Sequence, residues 1–311
     1  MRAAAVTILI LGALVARPAG AFEDFEGTRA LGMGGATRAW ALADSAILLN
    51  PAGMPLAKSY NVEAAYAYGS RLSDQFLHAS IVDSTSAINL AGGLYYTYHR
   101  DDAARVSGRG HEVGVALAMP IGPMLSLGAT GKWFHLQGAD AGAQTAPPAG
   151  MSAPTSTGLT FDVGANLRPA PVLSLAVVGV NLVDLHQAQA PQMLTYGAAY
   201  IPVTELVVTL DGVTTFTRDA YTGLRVTGVR GGLEATLAQR VALRAGGGTD
   251  AALGTGYLAA GFSVLSEVGA IDVAARGDLF PYATGASRNV FLGVSLRLFV
   301  PGAIASAQPP P

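Results

Sequence analysis

Residues 158–168, GLTFDVGANLR, place Leu159, Phe161, Val163, Ala165 and Leu167 on one side of an extended chain and Thr160, Asp162, Asn166 and Arg168 on the other. A side-chain period of two marks a β-strand with one apolar and one polar face. The same alternation sets Leu125, Leu127, Ala129 and Trp133 against Ser126, Thr130 and Lys132, and Val113, Val115, Leu117 and Met119 against Glu112 and small residues. It also opposes Val229, Leu233 and Leu237 to Arg230 and Glu234, and Ile271 and Val273 to Asp272, Arg276 and Asp278. About fourteen strands are expected, near 60–69, 76–82, 88–99, 111–119, 125–137, 157–168, 173–183, 193–201, 206–216, 226–237, 241–247, 256–265, 270–278 and 289–299.

A soluble β-sandwich alternates in the same way, so alternation alone does not decide; the spacing of the turns, below, separates the two, and composition bounds the class. Half of the 311 residues are hydrophobic, 13% are charged, and mean hydropathy is +0.38. Soluble chains carry about a quarter charged residues, so much of this surface is expected not to face water. A net charge of −2 gives no reason to expect a nucleic-acid partner. Residues 1–21 read as a secretory signal, with Arg2, an apolar run from Ala3 to Ala16 and an Ala19-Gly20-Ala21 cleavage site. With no cysteine there is no disulfide framework, metal–thiolate site or lipidated cysteine. After the signal, no run of about 18 apolar residues supplies a transmembrane helix. An exported, apolar chain of this kind has one membrane solution, the closed barrel, which satisfies every backbone group in lipid.

The connections agree. Tight turns such as PIGPM and IPVTE take turns with longer polar segments such as DDAARVSGRG, DLHQAQAPQ and residues 138–156, as in outer-membrane barrels with short periplasmic turns and long outer loops. An even strand count leaves both ends of the barrel (58–299) on the periplasmic side. Residues 22–57 can then fold up into the lumen, which is too wide for wall side chains alone to fill. The tail, 300–311, is expected to be disordered.

Residues 22–57 lack alternation. Asp44 is suited to N-cap a helix over 45–49, Pro51 excludes Asn50 from helical geometry, and a turn closes at Gly53. Gly32, Gly34 and Gly35 permit sharp bends and close packing; with no preceding strand and no following lysine they are not a nucleotide loop. The pattern RALGMGGA … ALADSAILLNPAGM resembles the N-terminal region of the FadL superfamily of outer-membrane barrels, which includes hydrophobic-compound transporters and PorV-type proteins of secretion systems. The last strand, NVFLGVSLRLF, resembles in part the C-terminal targeting signal of such barrels. The resemblance implies fourteen strands and a lumenal hatch over 32–55, with Asn50, Pro51 and Ala52 at its turn. It further implies passive uptake of a hydrophobic, long-chain fatty acid-like molecule, or alternatively a scaffold barrel partnered with secretion or envelope proteins. In the family's transporters a kink in the third strand opens the wall laterally, which makes Gly92 and Gly93 candidates for such an opening. A bulge at these paired glycines, or packing against the plug, are the readings from the residues themselves.

Nothing in the pattern demands an enzyme or cofactor. His78, His99, His111, His135 and His186 are scattered, His111-Glu112 is not followed by the second histidine of a zinc motif, and no G-x-S-x-G occurs. The inward charges expected from register are Glu63, Glu112, Asp162, Asp211, Glu234, Asp272 and Asp278 with Lys132, Arg168, Arg230, Arg244, Arg276 and Arg297. Near-equal signs favour pairing, with one another and with Arg29, Arg38 and Asp44 of the hatch, over an ion-selective ring. Tyr60, Tyr66, Tyr95, Tyr96, Tyr98, Trp133, Phe134, Tyr196, Tyr200, Tyr257, Phe280 and Tyr282 are expected mostly as an interfacial girdle. Tyr95 and Tyr257, on the polar face, are candidate pocket residues.

Overall fold

The structure, a computed structural model, describes residues 25–70, 73–85, 89–103, 106–137, 155–185, 190–216, 227–249, 256–279 and 288–300. The expected signal at 1–21, the first hatch residues 22–24, His186, Phe280, Tyr282, most of the longest loop and the tail beyond Val300 lie outside the described residues.

Among the described residues, fourteen strands close into one antiparallel barrel. They are β1 (Tyr60–Gly69), β2 (Asp74–Asp83), β3 (Ala91–Ala103), β4 (Val106–Ile121), β5 (Leu125–Gln137), β6 (Thr155–Ala170), β7 (Leu173–Val180), β8 (Met193–Val203), β9 (Leu206–Thr215), β10 (Thr227–Leu237), β11 (Val241–Thr249), β12 (Gly256–Leu265), β13 (Gly269–Asp278) and β14 (Val290–Phe299). Each pairs with its sequence neighbours, and β1 meets β14 from Asn61↔Phe299 to Gly69↔Phe291, so no edge is left open. The all-β barrel read from alternation is therefore the fold, with each strand within a few residues of its expected place.

The two faces divide as the period requires. Leu77, Leu94, Val115, Leu117, Leu159, Phe161, Leu210 and Leu258 stand exposed on the outside, while Lys132, Asp162, Asp211, Glu234, Arg244 and Asp272 are buried inside. A continuous exposed apolar belt around a closed ladder is stable only against lipid.

Three local expectations are corrected. DDAARVSGRG is not a long loop: β3 and β4 pair without a break to Ala103↔Val106, because an antiparallel ladder supplies partners for backbone groups that a loop leaves to water. Gly92 and Gly93 form no bulge, being in register with Asp83 and Val82 on one side and Leu117 and Ala116 on the other. The strand expected over 173–183 ends at Val180, because the carboxylate of Asp162 takes the Asn181 amide at 2.8 Å and the Thr160 hydroxyl takes the Val183 amide at 3.2 Å in place of ladder carbonyls.

The hatch fills the barrel interior as two short helices, α1 (Thr28–Gly32) and α2 (Ala43–Leu49), with 3-10 turns at Arg38–Trp40 and Pro51–Leu56. Asp44 does not cap α2. Leu42 holds the cap position, and the Ser45 hydroxyl accepts from its amide at 3.3 Å and donates to its carbonyl at 2.8 Å. Asp44 lies in the first turn instead, drawn to Arg297 of the wall at 3.7 Å.

Candidate functional site

One side of the hatch is held by charge. Arg29 donates from Nε and Nη2 to the two oxygens of Glu234 on β10, at 2.9 and 2.8 Å. Glu234 also accepts from Arg244 of β11, which reaches Asp272 of β13 at 3.0 Å; Asp272 in turn binds Arg297 of β14, and Arg297 faces Asp44. A second knot joins hatch to wall through Glu26, which accepts from Arg38 at 2.7 Å and from Arg230 of β10 at 2.6 Å, while the Arg38 amide donates to Asp211 of β9 at 2.9 Å. Burial alone pushes the Glu26 carboxyl up, but the Arg230 and Arg38 guanidiniums outweigh it and hold it down to about 2. A depressed carboxyl contributes stability that is present above its unfolded value and lost as pH falls through the folded one. The share of hatch sealing that Glu26 supplies, read as the difference in planar-bilayer conductance between wild type and Glu26→Gln, should therefore be level from about pH 8 to pH 5 and be lost only toward about pH 2. A difference already shrinking at pH 6 would contradict this anchor.

The other side is held by packing. Ala46, Ile47, Leu49 and Met54 form one buried cluster with Val82 of β2, Ala91 and Tyr95 of β3 and Ala116 and Ala118 of β4. Ile47 Cδ1 lies 2.7 Å from where a Cβ on Gly93 would stand, so this glycine is a seat for the hatch. The Asn50-Pro51-Ala52 turn presses on β5 and β6: a Cβ on Gly128 would fall 2.5 Å from the Ala52 nitrogen, and one on Gly164 would strike the Asn50 side-chain oxygen. Asn50 is extended, with φ −159° and ψ 96°; its side chain accepts from the Ala52 amide at 3.1 Å and donates to the Arg38 carbonyl at 3.0 Å, tying the halves of the hatch together. Gly53 completes the turn by donating to the Asn50 carbonyl at 2.8 Å. Gly34 and Gly35 hold positive φ of 64° and 75°, the left-handed bend that only glycine adopts freely. Gly32 serves close approach, since a Cβ there would lie 3.0 Å from the Gly261 Cα.

A cavity of about 80 Å³ lies on the outer-loop side of the hatch. Phe25, Glu26, Arg38, Leu48 and Leu49 form its floor; Phe76, Tyr95, Thr97, His99, Glu112, Lys132 and Phe134 form its wall, with Val180, Asn181 and Met193 on a further side. Rings dominate one part, Phe76 and His99 lying 4.4 Å apart between centroids. Polar groups dominate the other, where the Tyr95 hydroxyl donates to Glu112 and Lys132 pairs with Asp162 at 2.8 Å. A mixed apolar and polar lining suits a small ligand with a mostly hydrocarbon body.

Of the residues expected to line the lumen, Tyr95, Glu112 and Lys132 reach this cavity. Asp211, Arg230, Glu234, Arg244 and Asp272 bind the hatch or one another, and Glu63 is buried on β1. Arg168 lies over the Trp40 ring at 5.2 Å and Arg276 over Tyr257 at 3.8 Å. Tyr257 lines a second, smaller cavity of about 30 Å³ with Gly34, Gly35 and Arg276; its hydroxyl donates to the Gly34 carbonyl at 2.8 Å and so braces the hatch. Phe134 is no girdle residue: its neighbour Trp133 faces outward, so parity turns Phe134 into the cavity, where it is 8% exposed. Phe25, Glu26, Phe76 and His99 carried no local mark of a site. For the wall residues strand parity alone was the available signal, and for Glu26 it was an acidic side chain in a segment that must lie inside.

No protein-family model matches the chain, and no curated protein matches its sequence. Solved structures match its architecture. The monoaromatic hydrocarbon channel CymD superposes with a TM-score of 0.64 at 12% identity, over 88% of this chain and 99% of that one. A FadL homologue of Pseudomonas aeruginosa gives 0.61 at 12% identity over 90% and 99%, and the Pseudomonas putida toluene transporter TodX gives 0.60 at 12% over 87% and 96%. At such identity the likeness speaks for the fold, which agrees with the hatch and barrel described above. The chain has the FadL-like fold of these channels, a closed fourteen-stranded barrel with a small helical plug formed by its N-terminal segment.

Proposed function

We propose that this protein is an outer-membrane channel for passive uptake of hydrophobic small molecules. The observation that carries the reading is the cavity between the aromatic wall and the hatch floor. A ligand enters from the outer-loop side, rests against Phe76, Phe134 and Tyr95, and leaves when the hatch shifts. Sites for drug-sized molecules occupy roughly 300–1,000 Å³ and a benzene-binding cavity about 150 Å³, so at about 80 Å³ a small aromatic needs lining side chains or the hatch to give a little, and a long acyl chain needs the hatch displaced. Fatty acid-like cargo is thus the more demanding form of the proposal, and monoaromatic compounds, the cargo of the hydrocarbon channel CymD and the toluene transporter TodX, are the less demanding one.

The test is uptake of radiolabelled toluene and oleate by cells expressing the barrel, beside a Thr97→Trp variant whose indole fills the cavity. Toluene uptake should fall about tenfold in the variant, equivalent to about 1.4 kcal/mol of lost interaction. Oleate uptake without toluene uptake would favour the acyl reading. Transport of neither, with a secretion or envelope protein retained through purification, would move the assignment to the scaffold alternative.

A further inference from the structure

On the inner face of the wall, β3, β4 and β5 set out a small grid. Thr97, Glu112 and Phe134 lie side by side in one row. Tyr95 and Lys132 flank Gly114 in the next row, and His99 and Leu136 flank Gly110 in the row on the other side. The two glycines leave β4 bare at those heights. The Tyr95 ring lies over Gly114, and Leu136 covers Gly110, its Cδ2 2.5 Å from where a Cβ would stand. Because inward positions alternate with outward ones, Glu112 is the one inward side chain of β4 between residues 110 and 114.

It is also the polar group that the cavity meets. Tyr95, Thr97, Lys132 and Phe134 around it are buried, whereas Glu112 is half-buried. Among the described residues its hydrogen bond comes from the Tyr95 hydroxyl, on Oε1. A carboxylate has roughly four lone-pair sites, so Oε2 keeps capacity for a ligand. Charge then narrows the class. Lys132 stands diagonally across the ladder from Glu112, two positions from its partner Phe134, so a cationic ligand would meet that ammonium. An anionic ligand would meet Glu112 itself, and the cations of the lining, Lys132 and Arg38, already hold Asp162 and Glu26 at 2.8 and 2.7 Å. A neutral hydroxyl meets neither obstacle. It serves the carboxyl in either protonation state, donating to a carboxylate and accepting from a carboxylic acid.

We propose that Glu112 is the specificity-determining residue of the cavity, and that the cargo it selects is a phenol, a single aromatic ring carrying a hydroxyl, over a hydrocarbon of the same size. The ring lies among Phe25, Phe76 and Phe134, and the hydroxyl reaches Oε2 of Glu112. A site that hydrogen-bonds a ligand hydroxyl discriminates against the analogue lacking it, because its own polar group is then left unpaired. The inference rests on this cavity being the place where cargo is held, and narrows the chemistry of that cargo.

Fluorine NMR of the purified full-length barrel in detergent, titrated with 4-fluorophenol and separately with 4-fluorotoluene, tests it, with Thr97→Trp supplying the micelle background. Wild type should bind the phenol about tenfold more tightly, the effect of one hydrogen bond to a charged group. Glu112→Leu should reverse that order, since it loses the acceptor and gains apolar wall. Equal affinities in wild type, or an unchanged preference in Glu112→Leu, would overturn the proposal, as would tighter binding of 4-fluorobenzylammonium. Should Glu112→Leu lose its heat-modifiable, folded form, the wild-type order of the two near-isosteric compounds decides the matter. Uptake of both compounds by cells with no preference in binding would leave the uptake reading standing and remove this selectivity. Preferential binding of the phenol without uptake would do the reverse.

Discussion

Glu234→Ala is expected to open the barrel. Its carboxylate takes both Arg29 and Arg244, and all three side chains are buried. Removing it leaves two buried guanidiniums facing each other, with Asp272 as a partner for Arg244 alone of the two. Breaking a buried pair by deleting one member costs about 3–5 kcal/mol, and most of that strain falls on the hatch, because the strand ladders are made by backbone groups. The variant should still show heat-modifiable migration, while planar-bilayer recordings change from a closed baseline to frequent large openings. Glu234→Gln, which keeps the shape and some of the hydrogen bonds, should leak less. A folded Glu234→Ala barrel as closed as wild type would show that the ionic side of the hatch does not seal the lumen.

Gly128→Val acts from the opposite side. Valine suits a strand, and Gly128 pairs regularly with Ala118 and Gly164, so the wall itself should accept it. Its Cβ, however, would fall 2.5 Å from the Ala52 nitrogen and the Pro51 carbonyl carbon, both backbone atoms that cannot rotate away. Overpacking of this kind costs about 1–3 kcal/mol or more, and it is relieved by lifting the Asn50–Ala52 turn off β5 and β6. Leak conductance and faster proteolysis of the hatch are the expected readouts. Gly53→Ala should act in the same direction from within the hatch, since its Cβ would strike the Ala41 carbonyl oxygen. If Gly128→Val folds and neither conductance nor proteolysis changes, the close contact of turn and wall is not what holds the hatch down.

These variants differ in what could be foreseen. That Glu234 faces inward follows from its place in VRGGLEATL, where Val229, Leu233 and Leu237 take the other face. That it binds Arg29, 205 positions earlier, follows only from where the hatch docks. Gly92 and Gly93 make the same point from the other direction. A glycine pair in a strand reads equally as bulge, opening or seat, and only the position of Ile47 shows that Gly93 is a seat.

The strands, their two faces and, through the apolar outer face, the closure of the sheet were all legible in the residues. These are local consequences of a two-residue period and of the cost of unpaired backbone in lipid. The hatch turn was equally local, because Pro51 restricts Asn50 whatever surrounds it. Which carboxylate meets which arginine, and that Asp44 serves Arg297 rather than the end of its own helix, emerge from the folded molecule. Those choices depend on the height and rotation of the hatch inside the barrel, which are set by the sum of many contacts between residues distant in the chain, and no spacing within a single segment encodes them.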